Sequence, residues 1–456
     1  MKDNNAVVGV FGHYGNHNLG DEAIIQASIS QIRKRLPGAE VCCFSLRPRD
    51  TARRHQVESY GIRFTTEGSG PIQPEEAPPS EHMPWNVYAK KLAENIDPDD
   101  FSLKAPEGGL KEKIKRLPLI WAGLKALSAS VDLTKTVINE VRYLTSSYRY
   151  LKKFDLIVIS GSNQFLDNFG GAWGFPYTLY KWSLLAKLTG TKTAFVSVGT
   201  NPLEHPLSKK FIHKALRMSS YLSYRDEASK ALIEEGNVGF SGELYPDLAF
   251  GLDFQPADQE DMRLKPLVGI NPMPVYDYRY WCVSDDGRYK AYVVKLARFA
   301  ERLITDGHPI LFFGTMWRDD YVIVDILKEM NSEICDKVDG DELVRHCEEV
   351  ADLVTLLQEV DMVVATRFHG TVLPLLVHTP VIGISYYRKN VDLMDVFKQS
   401  DYYEVLEECD VDRLWDKLQL LSKNYVQEKE KIRDKTEEFQ CLVEEQWDRV
   451  INLINR

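Results

Sequence analysis

Residues 6–25, "AVVGVFGHYGNHNLGDEAII", decide the fold class of this chain. The apolar run at residues 6–11 predicts a buried strand, and a glycine-rich loop follows it. Beyond the loop, apolar residues at helical spacing predict a helix that Pro37 and Gly38 end: Ile25, Ile29, Ile32 and Leu36. We expect Asp21 to cap the start of this helix. A strand, a loop and a helix in this order are typical of an α/β fold with a parallel sheet.

The loop between the strand and the helix is the first candidate ligand site. Its glycines, Gly12, Gly15 and Gly20, are spaced G-x2-G-x4-G, which matches neither the dinucleotide-binding fingerprint nor a P-loop. Glycines let the backbone approach a ligand closely, and the N–H groups at a helix start can face that ligand. A tight strand-to-helix turn without a ligand is the alternative, and this stretch alone leaves both interpretations open.

Length and composition are those of a globular protein with more than one domain. The chain has 456 residues, of which 44% are hydrophobic and 27% charged, enough for two or three domains with buried cores. The formal net charge of −11 gives no reason to expect a nucleic-acid partner. The charge is unevenly distributed, because residues 104–153 carry 11 Lys/Arg against 4 Asp/Glu.

The sequence predicts a cytoplasmic protein without a metal or a cofactor. Residues 1–5 do not resemble the start of a signal peptide, and no uncharged apolar stretch approaches the roughly 20 residues of a transmembrane helix. The seven cysteines show no C-x-x-C spacing, so neither a zinc site nor a redox pair is predicted. Reduced thiols are what a cytosolic protein usually contains.

Predicted strands and helices alternate in two successive sets, which indicates two Rossmann-like α/β domains facing a cleft, the GT-B-like arrangement. The strands of the first set are 6–11, 41–46, 155–160 and 193–198, and those of the second are 267–271, 309–313, 361–365 and 380–385. We expect an N-terminal domain at 1–255 with a large insertion at 66–153, and a C-terminal domain at 256–411. Residues 412–456 predict an amphipathic helix that packs back across both domains.

Basic residues follow two neighbouring strands of the predicted second sheet. Arg367 and His369 come directly after the strand at 361–365, and Lys389 follows the strand at 380–385. Arginine binds planar oxygens in a bidentate manner and lysine supplies a point charge, so the set suits an anion that carries phosphate and carboxylate. Histidine can also transfer a proton near neutral pH. A purely structural Arg-x-His pair is the alternative.

The first predicted domain has a similar basic residue at a strand end. Arg225 follows a short strand-like run and precedes Asp226. It either reaches into the cleft from the opposite wall or pairs with Asp226 or another neighbour. Asp247, in "YPDLAF", follows another short strand-like run, where its carboxylate can orient a basic neighbour or serve a structural role.

Together these segments resemble the polysaccharide pyruvyl transferase family. The matching segments run in the family's order along the chain: 12–25, 224–229, 246–249, 367–369 and 386–389. The resemblance implies a two-domain fold like that of glycosyltransferases. It also implies an enzyme that transfers a pyruvyl group from phosphoenolpyruvate (PEP) to a sugar of a polysaccharide precursor, forms a pyruvate ketal and releases phosphate. Residues 161–167 and 198–203 depart from the family pattern.

The resemblance also implies roles for individual residues. Arg225, His369 and Lys389 are expected to be catalytic and to hold PEP, with the two cations as clamps and His369 as a phosphate contact or acid. Arg367 is expected to support substrate binding. The opening loop is expected to bind the sugar acceptor or orient its hydroxyls, through Asn16, Asn18, Gly20, Asp21 and Glu22. The N-terminal domain would then be the acceptor side and the C-terminal domain the PEP side.

Two other functions remain open on the sequence alone. A nucleotide-sugar-dependent GT-B glycosyltransferase would use the arginine and lysine to bind a diphosphate. A catalytically inactive sugar- or anion-binding protein would instead organise a polysaccharide assembly complex. The retention of Arg225, His369 and Lys389 together speaks against the inactive protein.

A separate prediction concerns residues 111–127, which we expect to make peripheral contact with the inner face of the membrane. The stretch joins a basic run to apolar residues: Lys111, Lys113, Lys115, Arg116, Leu117, Leu119, Ile120, Trp121, Leu124 and Leu127. Such a surface suits anionic lipid headgroups, and the family resemblance implies acceptors that are often lipid-linked. The alternative is a solvated helix that packs its apolar face on the first domain.

Overall fold

The computed structural model of the protein describes residues 6–64, 70–75, 138–255, 262–335 and 340–455, except positions 13, 16, 169, 237 and 282. The basic stretch 111–127 and Asn16 lie outside the described residues. Of the predicted insertion at 66–153, only 70–75 and 138–153 are described.

The first sheet has seven parallel strands in the order β3-β2-β1-β4-β5-β6-β7. Its strands are β1 Val7–Phe11, β2 Glu40–Ser45, β3 Glu58–Gly61, β4 Leu156–Ser160, β5 Lys192–Val198, β6 Tyr221–Tyr224 and β7 Glu243–Leu244. The central strands β1, β4 and β5 are mostly apolar and almost entirely buried, as is typical of a parallel sheet covered on both faces. The order reverses direction between β1 and β4, which is the doubly wound arrangement.

Helices connect the strands of this sheet. They are α1 Leu19–Arg35, α2 Pro48–His55, α3 at 138–151, α4 Phe175–Thr189, α5 Pro206–Leu216 and α6 Glu227–Glu234. Short 3-10 turns occur at Gly171–Trp173 and Leu248–Gly251. α1 has the predicted helical spacing, since Ile25, Ile29 and Ile32 are buried on one face.

The second sheet has six parallel strands in the order β10-β9-β8-β11-β12-β13. Its strands are β8 Val268–Asn271, β9 Ile310–Phe313, β10 Val344–Arg345, β11 Met362–Ala365, β12 Val381–Ser385 and β13 Tyr403–Val405. Its helices are α7 Asp286–Thr305, α8 Asp319–Glu329, α9 Val350–Glu359, α10 Phe368–Leu376 and α11 Arg388–Val396, with single turns at Ser332–Cys335 and Gly340–Leu343. The two-sheet α/β fold predicted from the sequence is therefore confirmed.

The C-terminal segment forms two helices rather than the single helix predicted from its pattern, α12 Val411–Lys423 and α13 Tyr425–Ile451. Asn424 separates them with a non-helical backbone. α13 packs across both domains: Gln446 hydrogen-bonds the Ser197 and Ser223 hydroxyls of the first sheet, and the Thr436 hydroxyl donates to the Leu375 carbonyl at 2.9 Å. The predicted return of the C-terminal segment across the domains is confirmed.

The domains contact each other at the start of α1. The Leu19 N–H donates to the Thr315 carbonyl at 2.8 Å, and Asn18 forms an isolated antiparallel bridge with Met316. Arg54 on α2 also pairs with Glu349 at 2.6 Å. The carboxyl ends of the strands in both sheets meet at this cleft, where ligands of open α/β folds usually bind.

Two expectations about boundaries have different outcomes. Asp21 is not the N-cap of α1, because the helix begins at Leu19 and the Asn18 side chain accepts a hydrogen bond from the Gly20 N–H. The interdomain bridge at Asn18 fixes the loop so that the helix starts before Asp21. The predicted domain boundary at 255/256 falls between β7 and β8 and stays a prediction.

Among the described residues, no helix combines the length and apolar character that crossing a bilayer requires.

Candidate functional site

The basic residues predicted at strand ends come together in the cleft. Arg225 follows β6 of the first sheet, whereas Arg367 and His369 follow β11 and Lys389 follows β12 of the second. The ring of Phe368 joins the two sides, because the Arg225 Cζ lies 4.6 Å and the Lys389 Nζ 5.2 Å from its centroid. Cations over an aromatic face are held by its quadrupole. We call Arg225, Phe368, His369 and Lys389 the cation cluster.

Arg225 is anchored on several sides. Its guanidinium donates to Asp247 at 3.2 Å and to the Asn163 side-chain oxygen at 2.5 Å, and its Nε lies 3.4 Å from Asp226. The side chain is 3% exposed, and Nε has no hydrogen-bond partner. A Cβ at Gly199 would lie 2.7 Å from that Nε, so only glycine leaves room for the guanidinium here.

Asp247 links Arg225 to His369. One carboxylate oxygen accepts from the Ala249 N–H at 3.0 Å, and the other lies 3.8 Å from the His369 Nε2. Burial alone would raise the pKa of Asp247, but the neighbouring His369 and Arg225 outweigh it and hold that pKa well below its ordinary value. Asp247 is therefore a fixed negative charge behind the two basic side chains.

His369 lies at the start of α10, tightly packed against the opening loop. A Cβ on Gly20 would lie 2.1 Å from its Nδ1, so the loop backbone touches the imidazole. The buried Nε2 has no hydrogen-bond partner. The N-cap of α10 is Arg367, whose side chain makes no capping hydrogen bond. The first N–H groups of α10 are therefore available to an anion, whereas the His369 Nε2 faces the Asp247 carboxylate at 3.8 Å.

Lys389 completes the cluster as a partly exposed cation at the start of α11. Burial, together with the positive charge of Arg225, lowers the pKa of Lys389 to about 7 against the opposing effects of Asp226, Asp21 and Asp247. Within the described part of the chain, its ammonium makes neither an ion pair nor a hydrogen bond. An anionic ligand would supply the missing counter-charge.

Arg367 differs from the other basic residues because a protein carboxylate already occupies its guanidinium. It donates to both oxygens of Asp319 on α8, with Nε at 2.8 and 3.0 Å and Nη2 at 2.6 Å. Asp319 also accepts from the Thr315 and Met316 N–H groups at 3.1 and 3.0 Å. Through Asp319, Arg367 therefore holds the interdomain loop that follows β9. This contact stabilises the wall of the cleft, and the guanidinium is already occupied by a protein carboxylate.

The opening loop contains the other predicted site residues, and they occupy different environments. Asn18 caps α1 and donates to Asp21 at 2.9 Å, and the Ser162 hydroxyl donates to Asp21 at 2.6 Å. Glu22 is fully buried, where it accepts from the Gly15 N–H at 3.1 Å and lies 2.7 Å from the His55 Nε2. Gly20 and Asn18 thus border the cleft, whereas Glu22 holds the loop from behind.

Three residues of the site were not predicted from the sequence. Phe368 lies within the predicted Arg-x-His segment, but its role as a platform for two cations depends on the facing domain. Asn163 follows β4 at the same sheet edge as Arg225, and that position was a usable signal. Asp319 pairs with Arg367 across 48 residues of chain, which no local pattern indicates.

A group of potential metal ligands lies at the opposite edge of the first sheet. Ligand atoms of Glu40, Cys42 and Glu58 lie within 4.8 Å of one another. The Lys153 ammonium lies 2.8 Å from Glu40 and 2.7 Å from Glu58, so it already neutralises the two carboxylates. Burial raises the pKa of Cys42 to about 12, which disfavours the thiolate that a metal requires. We assign no metal to this group.

Several solved structures are similar to this chain. UDP-GlcNAc 2-epimerase from Neisseria meningitidis bound to UDP-GlcNAc has a TM-score of 0.51 at 10% identity, over 99% of each chain. The epimerase from Methanocaldococcus jannaschii has a TM-score of 0.47 at 8% identity, covering 91% of this chain and 92% of that one. Spinosyn rhamnosyltransferase SpnG, complexed with thymidine diphosphate, has a TM-score of 0.46 at 11% identity, and the match covers 94% of this chain and 96% of that one. The two parallel sheets, together with the similarity to the Neisseria meningitidis epimerase, place this chain among GT-B-like folds with two Rossmann-like domains.

The family follows from the sequence. A sequence model described as polysaccharide pyruvyl transferase matches residues 18–387, which include every member of the cation cluster except Lys389. The chain belongs to the polysaccharide pyruvyl transferase family. No curated protein sequence matches it.

Proposed function

We propose that this protein transfers a pyruvyl group from PEP to a sugar of a polysaccharide precursor, forming a pyruvate ketal and releasing phosphate. The observation that carries the proposal is the cation cluster, where Arg225 of one domain and Lys389 of the other lie over the same Phe368 ring. PEP carries a phosphate and a carboxylate on a small three-carbon frame. Two cations on facing walls fit two anionic groups of one small molecule.

PEP would bind by completing interactions that the free protein leaves open. The Lys389 ammonium and the His369 Nε2 make no hydrogen bonds within the described residues. Backbone N–H groups at the start of α10 point toward the same region of the cleft, where a phosphate is favoured. Asp247 is proposed to orient Arg225 and His369 without facing the anion itself. Its carboxylate oxygens already accept hydrogen bonds from Arg225 and from the Ala249 N–H.

The chemistry would begin with proton transfer to PEP. A proton added to its methylene carbon leaves an oxocarbenium-like carbon, which a sugar hydroxyl attacks as its own proton departs. The bond from that carbon to the phosphate oxygen then breaks, and phosphate leaves with the electron pair. A second hydroxyl of the same sugar then attacks that carbon and releases its proton to the departing phosphate, which closes the ketal. His369 and Lys389 are the proposed proton carriers, since both border the cleft and burial lowers the pKa of Lys389 to about 7.

The acceptor sugar would bind at the opening loop. Gly20 contacts His369 directly, so a sugar lying on the loop is adjacent to the bound PEP. Asn18 and Asp21 are the proposed contacts to its hydroxyls, whereas the buried Glu22 is proposed to stabilise the loop. Asn16 is proposed as a further contact. Arg367 is proposed to support the site through Asp319.

A lipid-linked acceptor and a place at the cytoplasmic face of the membrane are further parts of the proposal. The contact with the membrane would involve residues 111–127, which lie outside the described residues. Both parts are independent of the chemistry at the cation cluster.

The test of donor choice is thermal unfolding with candidate donors, because a ligand that binds only the folded state raises the melting temperature. We expect PEP to raise it and UDP- or GDP-sugars not to. Lys389→Met should lose the response to PEP, whereas Lys398→Met, a lysine outside the cluster, should keep it. A response to a nucleotide sugar without one to PEP would favour the GT-B glycosyltransferase instead.

A further inference from the structure

A second cavity lies between the domains, on the other side of the opening loop from the cation cluster. Its volume is about 460 Å3, which is within the range of small-molecule sites. His17, Arg47 and Arg54 line it from the N-terminal domain, and Trp317 and His346 line it from the C-terminal domain. The proposed reaction with PEP makes no use of it.

Two arginines in this cavity have unused hydrogen-bonding capacity. The Arg54 side chain is 4% exposed, and its buried Nε has no hydrogen-bond partner, although Nη1 donates to the Glu348 carbonyl and to Glu349, each at 2.6 Å. In the described part of the chain, the exposed Arg47 guanidinium makes no hydrogen bond or ion pair. A buried donor without a partner costs free energy, which an oxygen of a ligand would recover.

Acidic residues around the cavity are mostly engaged by other groups. Asp50 pairs with Arg53 at 3.2 Å, and Asp320 lies 3.3 Å from the His346 Nδ1. The His17 Nδ1 lies 3.4 Å from Arg54. Burial lowers the pKa of His17, and Arg54 and Arg47 lower it further against the effect of Asp50. Among the described lining residues, Arg47 and Glu348 are the charged side chains without an ion pair, so Arg47 is the cation that remains open to an anion.

The cavity also offers an apolar surface and adjoins the site. Trp317 is partly exposed there, and an indole ring combines a flat apolar face with one N–H donor, which suits a sugar ring. Leu19 lines the cavity, and the next residue, Gly20, contacts His369. A sugar that extends past the loop could therefore occupy the cavity and the catalytic cleft together.

We propose that this cavity binds a phosphate ester carried by the acceptor sugar, with Arg47 and Arg54 on the phosphate and Trp317 against the sugar. This inference rests on the proposed function, because it treats the bound sugar phosphate as the acceptor side of the same reaction. Free phosphate has the same anionic chemistry without the sugar, and the test separates the two.

Calorimetric titration of the full chain with glucose 1-phosphate and with inorganic phosphate tests the inference. We expect glucose 1-phosphate to bind more tightly, because only it can contact Trp317. Arg47→Ala should weaken its binding at least about tenfold, the loss expected for a charge-assisted contact. Arg33→Ala, at an exposed arginine in the last turn of α1, is the matched control and should leave binding unchanged.

Three outcomes would overturn the inference. Glucose 1-phosphate binding that depends on Arg225 and not on Arg47 would locate the sugar phosphate in the cation cluster. Equal affinities for inorganic phosphate and for glucose 1-phosphate would show that the cavity binds phosphate alone and does not contact the sugar. Tighter binding of UDP through Arg47 would make the cavity a nucleoside site. A PEP-induced rise in melting temperature, measured on Arg47→Ala, reports on the proposed function separately, since it depends only on the cation cluster.

Discussion

A Cβ on Gly20 would lie 2.1 Å from the His369 Nδ1, so the backbone of one domain sets the position of an imidazole in the other. His369 opens α10 of the C-terminal domain, and Gly20 lies in the first turn of α1. Any side chain at position 20 would displace either the ring or the loop. This contact couples the proposed acceptor loop to the proposed donor site.

Gly20→Ala is expected to separate stability from activity. The added methyl overpacks the contact and should lower the free energy of unfolding by about 1–3 kcal/mol, which leaves the protein folded. Pyruvyl transfer should fall at least about tenfold, because His369 moves away from its reacting position. Gly70→Ala is the control, since its Cβ would meet nothing within 4 Å. Unchanged transfer by Gly20→Ala would mean that His369 needs no support from the loop.

Arg225→Lys tests whether geometry or charge matters at the cluster. Lysine keeps the positive charge but cannot contact Asp247, Asn163 and a ligand together, as the planar guanidinium can. We expect the affinity for PEP to fall at least about tenfold, measured by calorimetry. Full affinity in Arg225→Lys would show that a point charge is sufficient.

The affinity for PEP is expected to fall as the pH rises above about 7. Lys389 has a pKa of about 7 in the folded protein against 10.5 for the ordinary side chain, so it loses its charge over this range in the free protein. The decline should approach about tenfold per pH unit at most, since one proton is linked to binding. Lys389→Met should bind weakly with a flatter profile. Identical profiles for the two proteins would exclude Lys389 as the titrating group.

The same shift in the Lys389 pKa affects stability with a defined sign. Between pH 7 and 10.5 the unfolded chain binds more protons at Lys389 than the folded one does. The free energy of unfolding contributed by this group therefore rises with pH across that window. Urea unfolding at several pH values should show the stability of the wild type rising relative to that of Lys389→Met. A difference that stays constant with pH would contradict this assignment.

Arg367→Met should act mainly on stability. It leaves Asp319 buried without its partner, and loss of one member of a buried ion pair costs about 3–5 kcal/mol. The double variant Arg367→Met/Asp319→Asn should recover part of that loss in urea unfolding, because no uncompensated charge remains. If the single variant is fully stable and only loses affinity for PEP, Arg367 binds substrate directly.

The sequence predicted those elements whose residues form a regular local pattern. The buried positions Ile25, Ile29 and Ile32 gave the spacing of α1, and the basic residues at strand ends indicated the cleft. The N-cap was misplaced because Asn18 and Asp21 are both good caps, and the choice depends on a bridge to Met316 in the other domain. Short edge strands such as β7 and β10 are too short to show a period.

Long-range pairing is the other part that the sequence could not supply. Arg367 was expected to support substrate binding, but its contact with Asp319, which comes from a different helix, could not be predicted from the sequence around it. The burial of Glu22 depends in the same way on His55 from α2. In both cases tertiary contacts, and not local patterns, determine which group a charged side chain faces.

The central claim is that the cation cluster binds PEP for transfer to a sugar. The most direct measurement incubates the full chain with PEP and candidate sugar acceptors, and follows phosphate release together with the mass of the sugar. We predict phosphate release that depends on the sugar, a mass gain of one pyruvyl ketal on that sugar, and loss of both in His369→Ala. Transfer of a sugar from a nucleotide sugar, with no pyruvyl gain from PEP on any acceptor tested, would contradict the account.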